Sequence, residues 1–262
     1  MKVYETGNIR NVVVMGHGGC GKTTLVEAIA YQTGITARMG KVTDGKTISD
    51  YDKEEQKRQF SISTSVVPVE FEDIKINFLD TPGYFDFVGE VEEACHAAGA
   101  AVIVINGKSG VEVGTLKAWE LCEKYKLPRL FFVTGMDDDQ ASYRKIVLEL
   151  NDRFGRKVAP FHVPIRENEK FVGFVNVVKM KGRRFINDTS EYEECDIPDY
   201  MDKHLNISRD ALVEAVADTS EELMERYFAG EEFTYEEVST ALRTHVMDCQ
   251  IVPVLVGSGV HN

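Results

Sequence analysis

No stretch of this sequence approaches the ~18 apolar residues that a membrane-crossing helix needs, and Met1–Thr6 shows no basic segment leading into an apolar run. A spanning or exported chain is therefore not expected, and the reading is a cytoplasmic protein with no membrane partner. Cysteine is sparse and unpatterned. Cys20, Cys95, Cys122, Cys195 and Cys249 are scattered and odd in number, with no CxxC pair and no Cys/His cluster at metal spacing. Free thiols in a reducing compartment fit that usage better than a disulfide framework or a zinc site. Basic charge is also short: 30 Lys and Arg stand against 43 Asp and Glu, a net charge of −13. That balance argues against an extended nucleic-acid face, although a local contact with RNA stays open. Internal repeats and low-complexity tracts are absent. What remains is ordinary for a globular protein, with 43% hydrophobic and 28% charged residues. The 262 residues suffice for one large domain, or for one domain carrying a sizeable insertion.

Apolar, β-branched runs alternate with helical patterns through the first part, as expected of a mostly parallel sheet flanked by helices. Strands are predicted at Asn11–Met15, Val66–Phe71, Ile74–Asp80, Ala101–Ile105, Arg129–Thr134 and Ile251–Val256, with the second turning into the third at Glu72-Asp73. Helices are predicted at Lys22–Gln32, Phe87–Ala97, Gly114–Tyr125 and Ala141–Phe154. Between Arg38 and Thr64 the chain is polar and aperiodic, which predicts a long mobile loop with little to anchor it. From Val158 to Cys249 the character changes to short strands (Phe171–Val178, Arg183–Ile186), an acidic stretch, and helices at Ser208–Ala217, Ser220–Ala229 and Thr234–Asp248. The fold class is thus α/β, with 1–157 as the first part of a core, 158–249 as an inserted α+β subdomain, and 250–262 returning to the core with its last strand.

Gly16-His17-Gly18-Gly19-Cys20-Gly21-Lys22-Thr23 fits G-x-x-x-x-G-K-[ST], with a strand before it and a helix after it. Glycines let successive backbone N–H groups curl around phosphates, and the helix N-terminus adds its dipole. Lys22 is placed to neutralise β- and γ-phosphates and Thr23 to ligate Mg²⁺. Asp80-Thr81-Pro82-Gly83 ends an apolar strand, where Asp80 can reach the metal through water and the Gly83 amide can sense the γ-phosphate. Taken without the phosphate loop this tetrapeptide reads equally well as a turn. In Arg58-Gln59-Phe60-Ser61-Ile62-Ser63-Thr64 a hydroxyl, Ser61 first, is positioned to close on Mg²⁺ as an ordering loop does, or else the segment is a solvated polar loop. Thr134-Gly135-Met136-Asp137 follows a buried strand where a base reader belongs. Asp137 there would accept from guanine N1–H and its amine, or would cap a turn. Ser258 and Gly259, after the last strand, would offer backbone donors to guanine O6.

Taken together these segments resemble the GTPase domain of elongation factor G, a P-loop NTPase, with that family's inserted subdomain. Gly16–Thr24 resembles its phosphate loop, Arg58–Ser65 its Arg-Gly-Ile-Thr-Ile-Thr segment, and Asp80–Phe87 its Asp-Thr-Pro-Gly-His-Val-Asp-Phe. Thr134–Asp137 stands for its Asn-Lys-Met-Asp, Gly257–Asn262 for its Gly-Ser-Ala segment, and Phe171–Val177 and Leu212–Asp218 resemble stretches of the insert. The resemblance implies GTP hydrolysed to GDP and phosphate with Mg²⁺. It also implies a ribosome as partner, met through further domains beyond Asn262 and through a local switch contact. The departures are particular. Ser61 replaces Thr, Gly19 an Asp, Thr134 and Gly135 the Asn and Lys, and Tyr84 the His that helps position the attacking water. They resemble a paralogue more than the main translocase, and the loss of both His and Lys separates the chain from tetracycline ribosomal-protection proteins. Lys22, Gly83 and Tyr84 are then the expected catalytic groups. A nucleotide-sensing switch with decayed hydrolysis, or an ATPase, remain the alternatives.

Overall fold

A computed structural model of the chain describes residues 2–168, 170–186 and 191–258. The chain divides into two compact units, the first of Met1–Asn106 and Glu112–Leu127, the second of Gly107–Val111 and Pro128–His261.

In the first unit, β1 (Ile9–Gly16) leads through the glycine-rich turn into α1 (Lys22–Gln32). A short α2 (Lys53–Arg58) follows, then β2 (Ser65–Phe71), β3 (Ile74–Asp80), α3 (Val88–Ala97), β4 (Ala100–Asn106) and α4 (Val113–Tyr125). β1 lies parallel between β3 and β4, with Val13 facing Leu79 on one side and Ala101 on the other. Val13, Val14 and Met15 are buried together with Ile103, Val104 and Ile105, so consecutive residues on both faces of these strands are covered, as in a sheet packed by helices on both sides. β2 runs antiparallel to β3 in a hairpin. Each βα turn therefore delivers its loop to the same end of the sheet, where open α/β sheets place ligands.

The segment predicted as a loosely held loop is not one. α2 is opened by a capping box in which Asp52 accepts from the Glu54 amide at 2.7 Å and Glu55 accepts from the Asp52 amide at 3.3 Å. Backbone and side-chain bonds then tie the segment to α1, α3 and β2. Thr64 N donates to Glu90 at 2.6 Å, and the Ser65 hydroxyl to Ser49 O at 2.6 Å.

In the second unit, β5 (Arg129–Thr134) leads to α5 (Tyr143–Phe154) and a short β6 (Val158–Pro160). β11 (Val252–Val256) lies parallel to both strands. α5 buries Tyr143, Ile146, Val147 and Leu150, one apolar stripe at helical spacing. Between β6 and β11 the chain builds an antiparallel sheet of β7 (His162–Glu167), β8 (Lys170–Asn176), β9 (Lys181–Phe185) and β10 (Tyr192–Cys195), ordered β10-β9-β8-β7. The helices α6 (Asp202–Ala217), α7 (Glu221–Phe228) and α8 (Tyr235–Met247) follow it. β6, β7 and β10 were not predicted, and α6 starts six residues before the expected Ser208.

Candidate nucleotide and metal site

The turn between β1 and α1 curls because three of its residues take left-handed backbone angles: φ is +148° at Gly16, +78° at Gly19 and +97° at Gly21. Lys22, buried at the first turn of α1, folds back so that Nζ donates to Gly16 O at 3.2 Å and His17 O at 3.0 Å. The ammonium is thereby held in the hollow of the turn, on carbonyls that a phosphate can replace. His17 accepts from the Gly114 amide through Nδ1 at 3.3 Å and points Nε2 at Glu112, 3.6 Å away, so it braces the turn against the start of α4. Cys20 is buried behind the turn, and that burial pushes its thiol above the usual range.

Side-chain oxygens gather near Lys22. The Thr23 hydroxyl lies 3.2 Å from the Ser61 hydroxyl, and Ser61 donates to Asp50 Oδ1 at 2.7 Å. Asp80, at the end of β3, is 1% exposed, and neither carboxylate oxygen has a hydrogen-bond partner at bonding geometry. Burial pushes its pKa up to about 6; Ser49, Lys22 and Thr23 stand near enough to favour the charged form without offsetting that burial. Asp50 is also raised, chiefly by burial, with the Ser61 hydroxyl opposing. Two carboxylates and two hydroxyls form a hard-oxygen set of the kind Mg²⁺ takes alongside phosphate oxygens, and a buried carboxylate with both oxygens unsatisfied is what a cation would complete. A cavity of about 200 Å³ opens here, lined by Gly18, Lys22, Thr23, Asp50, Ser61 and Tyr84 among others.

Gly83 lies against Lys22 and the turn: a Cβ there would collide with Lys22 Nζ and come within 2.8 Å of Gly18 N and Cα. Only glycine lets the backbone approach this closely. Tyr84 is 47% exposed, stands edge-on to Phe60 with ring centroids 4.8 Å apart, and covers Gly18, where a Cβ would lie 3.3 Å from its ring.

The expected base-reading residues lie in the second unit. Thr134 closes β5 and its carbonyl accepts from the Gly107 amide at 2.8 Å; Gly135 turns with φ +65° and Met136 is wholly buried. This leaves Asp137 with Oδ1 buried and without a hydrogen-bond partner, an acceptor ready for paired donors. The next residue, Asp138, is held below the usual carboxylate range, first by the Gln140 amide. Lys108 stands 3.8 Å from it. Ser258 follows β11, where the Gly257 amide donates to Val133 O at 3.0 Å; Gly259 lies outside the described residues. A cavity of about 360 Å³, lined by residues of α5, β7 and α6, contains none of the predicted site residues.

Sequence reasoning missed Asp50, Glu27 and Glu55. Glu27 accepts from Gly40 N at 2.7 Å and Ile48 N at 2.6 Å, and Glu55 from Ile62 N at 2.9 Å and Ser63 N at 3.1 Å. The spacing Asp52-x-x-Glu55 is a readable capping signature; isolated acids such as Glu27 and Asp50 carry no such pattern.

A crystal structure of a Thermus thermophilus protein is similar to this chain with a TM-score of 0.87 and 36% identity, over 97% of this chain and 38% of that one. The chain thus spans well under half the length of that protein. Residues 7–262 match the family described as Elongation factor Tu GTP binding domain. With phosphate loop, acidic strand end and buried Asp137 all inside the matched stretch, the chain belongs to the family of elongation-factor-type GTP-binding domains.

Proposed function

We propose that this GTP-binding domain hydrolyses GTP to GDP and phosphate as part of an elongation factor G-like, ribosome-associated protein. The observation that carries the reading is Asp80: a fully buried carboxylate with neither oxygen in a hydrogen bond of good geometry, near the Thr23 hydroxyl and the Lys22 ammonium, with the Ser61 hydroxyl 3.2 Å from Thr23. Bound Mg²⁺ would supply positive charge at the β- and γ-phosphates, held by Thr23, Ser61 and, through water, Asp80. Lys22 exchanges its carbonyl partners for phosphate oxygens, and the turn from Gly16 to Gly21, continuing into Thr24, donates its amides. Water attacks the γ-phosphorus while the bond to the β–γ bridging oxygen breaks. The bond electrons leave with GDP, the Gly83 amide would donate to the transferred γ-phosphoryl, and Tyr84 would offer its hydroxyl to the water. Asp137, with Thr134, Ser258 and Gly259, reads guanine. Residues 158–249 form an insert ahead of the last core strand. Ribosome contact would run through the switch segment and further domains, in the cytoplasm. No helix among the described residues is long and apolar enough to cross a membrane.

A second reading, a nucleotide-sensing switch with decayed hydrolysis, draws on the packing of Tyr84 against Phe60 rather than toward the cavity alone. Calorimetric titration of GDP against ADP, with and without Mg²⁺, tests the binding step. GDP should win, Mg²⁺ should tighten it, and Lys22→Ala should abolish it. Equal affinity for ADP would favour an ATPase, and unaltered binding by Lys22→Ala would remove the phosphate-loop assignment.

A further inference from the structure

Glu27 lies on α1, one helical turn beyond Thr23, and is 1% exposed. A lone carboxylate at such depth is costly unless its oxygens are satisfied. Here both are satisfied from a single source: Oε1 accepts from the Gly40 amide at 2.7 Å and Oε2 from the Ile48 amide at 2.6 Å. Gly40 and Ile48 belong to no helix or strand, so these bonds are not part of any ladder. The fit is close. A Cβ on Gly40 would strike Lys46 O and sit 2.9 Å from Glu27 Oε1. Two residues after Ile48 comes Asp50, the acceptor of the Ser61 hydroxyl, which in turn lies 3.2 Å from Thr23. One helix therefore meets the segment twice, at Thr23 through a single hydroxyl and at Glu27 through two charge-assisted bonds. Glu55 fastens the far limb through Ile62 N and Ser63 N.

We propose that Glu27 is a positioning residue for the switch segment. It touches no part of the phosphate cavity, but by holding residues 40–48 on α1 it fixes where Asp50 presents Ser61 to Thr23. The proposal rests on reading Thr23 and Ser61 as the metal and γ-phosphate side of a GTP site. It follows that Glu27 acts on the preference for triphosphate over diphosphate, since only the triphosphate uses Ser61, and leaves diphosphate binding at the phosphate loop to Lys22.

The test is titration of this chain with GDP and with a non-hydrolysable GTP analogue in Mg²⁺, for the parent, Glu27→Gln and Gly40→Ala. It is read beside tryptic cleavage at Lys41, Lys46, Lys53 and Lys57. Glu27→Gln puts an NH₂ group against a backbone N–H, and Gly40→Ala disturbs the same contact from the loop side, its Cβ striking Lys46 O and crowding Glu27 Oε1 while the sequence of α1 is unchanged. Both variants should lose affinity for the analogue by about tenfold, the scale of a lost charge-assisted bond, with GDP affinity held within about twofold and faster cleavage in the segment. Should Glu27→Gln fail to fold, Gly40→Ala decides alone. An unchanged analogue-to-GDP ratio overturns the proposal, as does an equal loss of both ligands, which would mark Glu27 as merely structural. A parent that binds no GDP, or a Lys22→Ala variant that binds it normally, overturns the GTP-site reading and the proposal with it. The parent binding both ligands while the variants keep its ratio sinks the Glu27 role alone.

Discussion

The ring of Tyr84 meets that of Phe60 edge-on at 62°, with 4.8 Å between centroids, and Gly18 leaves the space beneath it. A phenol offers a hydrogen bond but no positive charge near neutral pH, whereas an imidazole can carry one toward a transition state that gathers negative charge. Multiple-turnover hydrolysis by this chain is expected to be slow, and Tyr84→His to raise it by about a hundredfold, the low end of what general acid–base groups contribute. Tyr84→Phe at parent rates would show that the hydroxyl does no chemistry. A fast parent would contradict the expectation outright.

Ser61 keeps the hydroxyl of the family's Thr while losing its methyl. Ser61→Ala should weaken the GTP analogue by about tenfold and leave GDP unaffected, because the hydroxyl joins Thr23 to Asp50 and matters only with the segment closed. Ser61→Thr should match or exceed the parent. Titration of both nucleotides separates these outcomes, and a Ser61→Ala variant with the parent's ratio would remove Ser61 from the metal set.

Asp137 has a buried, unpartnered oxygen and Gly135 has no side chain to lay over a base. Asp137→Asn should lower GDP affinity by about a hundredfold, since one acceptor of a paired donor set becomes a donor. Gly135→Lys should tighten GDP binding. Competition between GDP and ADP reads both, and an Asp137→Asn variant that still prefers GDP would point to another base reader.

His162, on β7, stacks near Phe174 at 4.3 Å between centroids, and burial, with the Arg183 charge adding to it, lowers its pKa from 6.5 to about 4. The unfolded chain therefore binds more protons between those values. Stability from this group is complete above about pH 6.5 and is lost as pH falls through about 4, by roughly 3 kcal/mol at most. Urea unfolding at pH 7 and pH 4.5 should show a smaller drop for His162→Phe than for the parent. Equal drops would mean that His162 is protonated without cost in the folded state.

The elements read most sharply from sequence were those bounded by chemistry. α1 occupies Lys22–Gln32 as predicted because a glycine turn starts it, and β3 occupies Ile74–Asp80 because a turn and Pro82 delimit an apolar run. β7 escaped notice because Pro164 interrupts its alternation; as an edge strand of its sheet it can accommodate the proline. β10, the other edge, hides behind exposed Glu193 and Glu194. At the candidate site, the grouping of Lys22, Thr23 and Asp80 was legible because a glycine-rich strand–turn–helix and a neighbouring strand end carry them in fixed places along the sequence. Glu27 and Asp50 were not, since their partners are backbone amides and a serine more than ten residues away, contacts set only by the fold.

β2 and β3 pair from Ser65 opposite Asp80 to Phe71 opposite Ile74, so the segment that ends at Thr64 runs straight into one arm of a hairpin whose other arm bears Asp80. Ser61 lies four residues before Ser65. Were the bonds to Glu27 and Glu55 to open, the Ser61 hydroxyl would stay on a leash of at most about 14 Å from a point facing Asp80. Recapture is consequently an intramolecular event at millimolar effective concentration, on a timescale of roughly 100 ns or less for so short a closure. The hairpin thus makes any return of Ser61 fast.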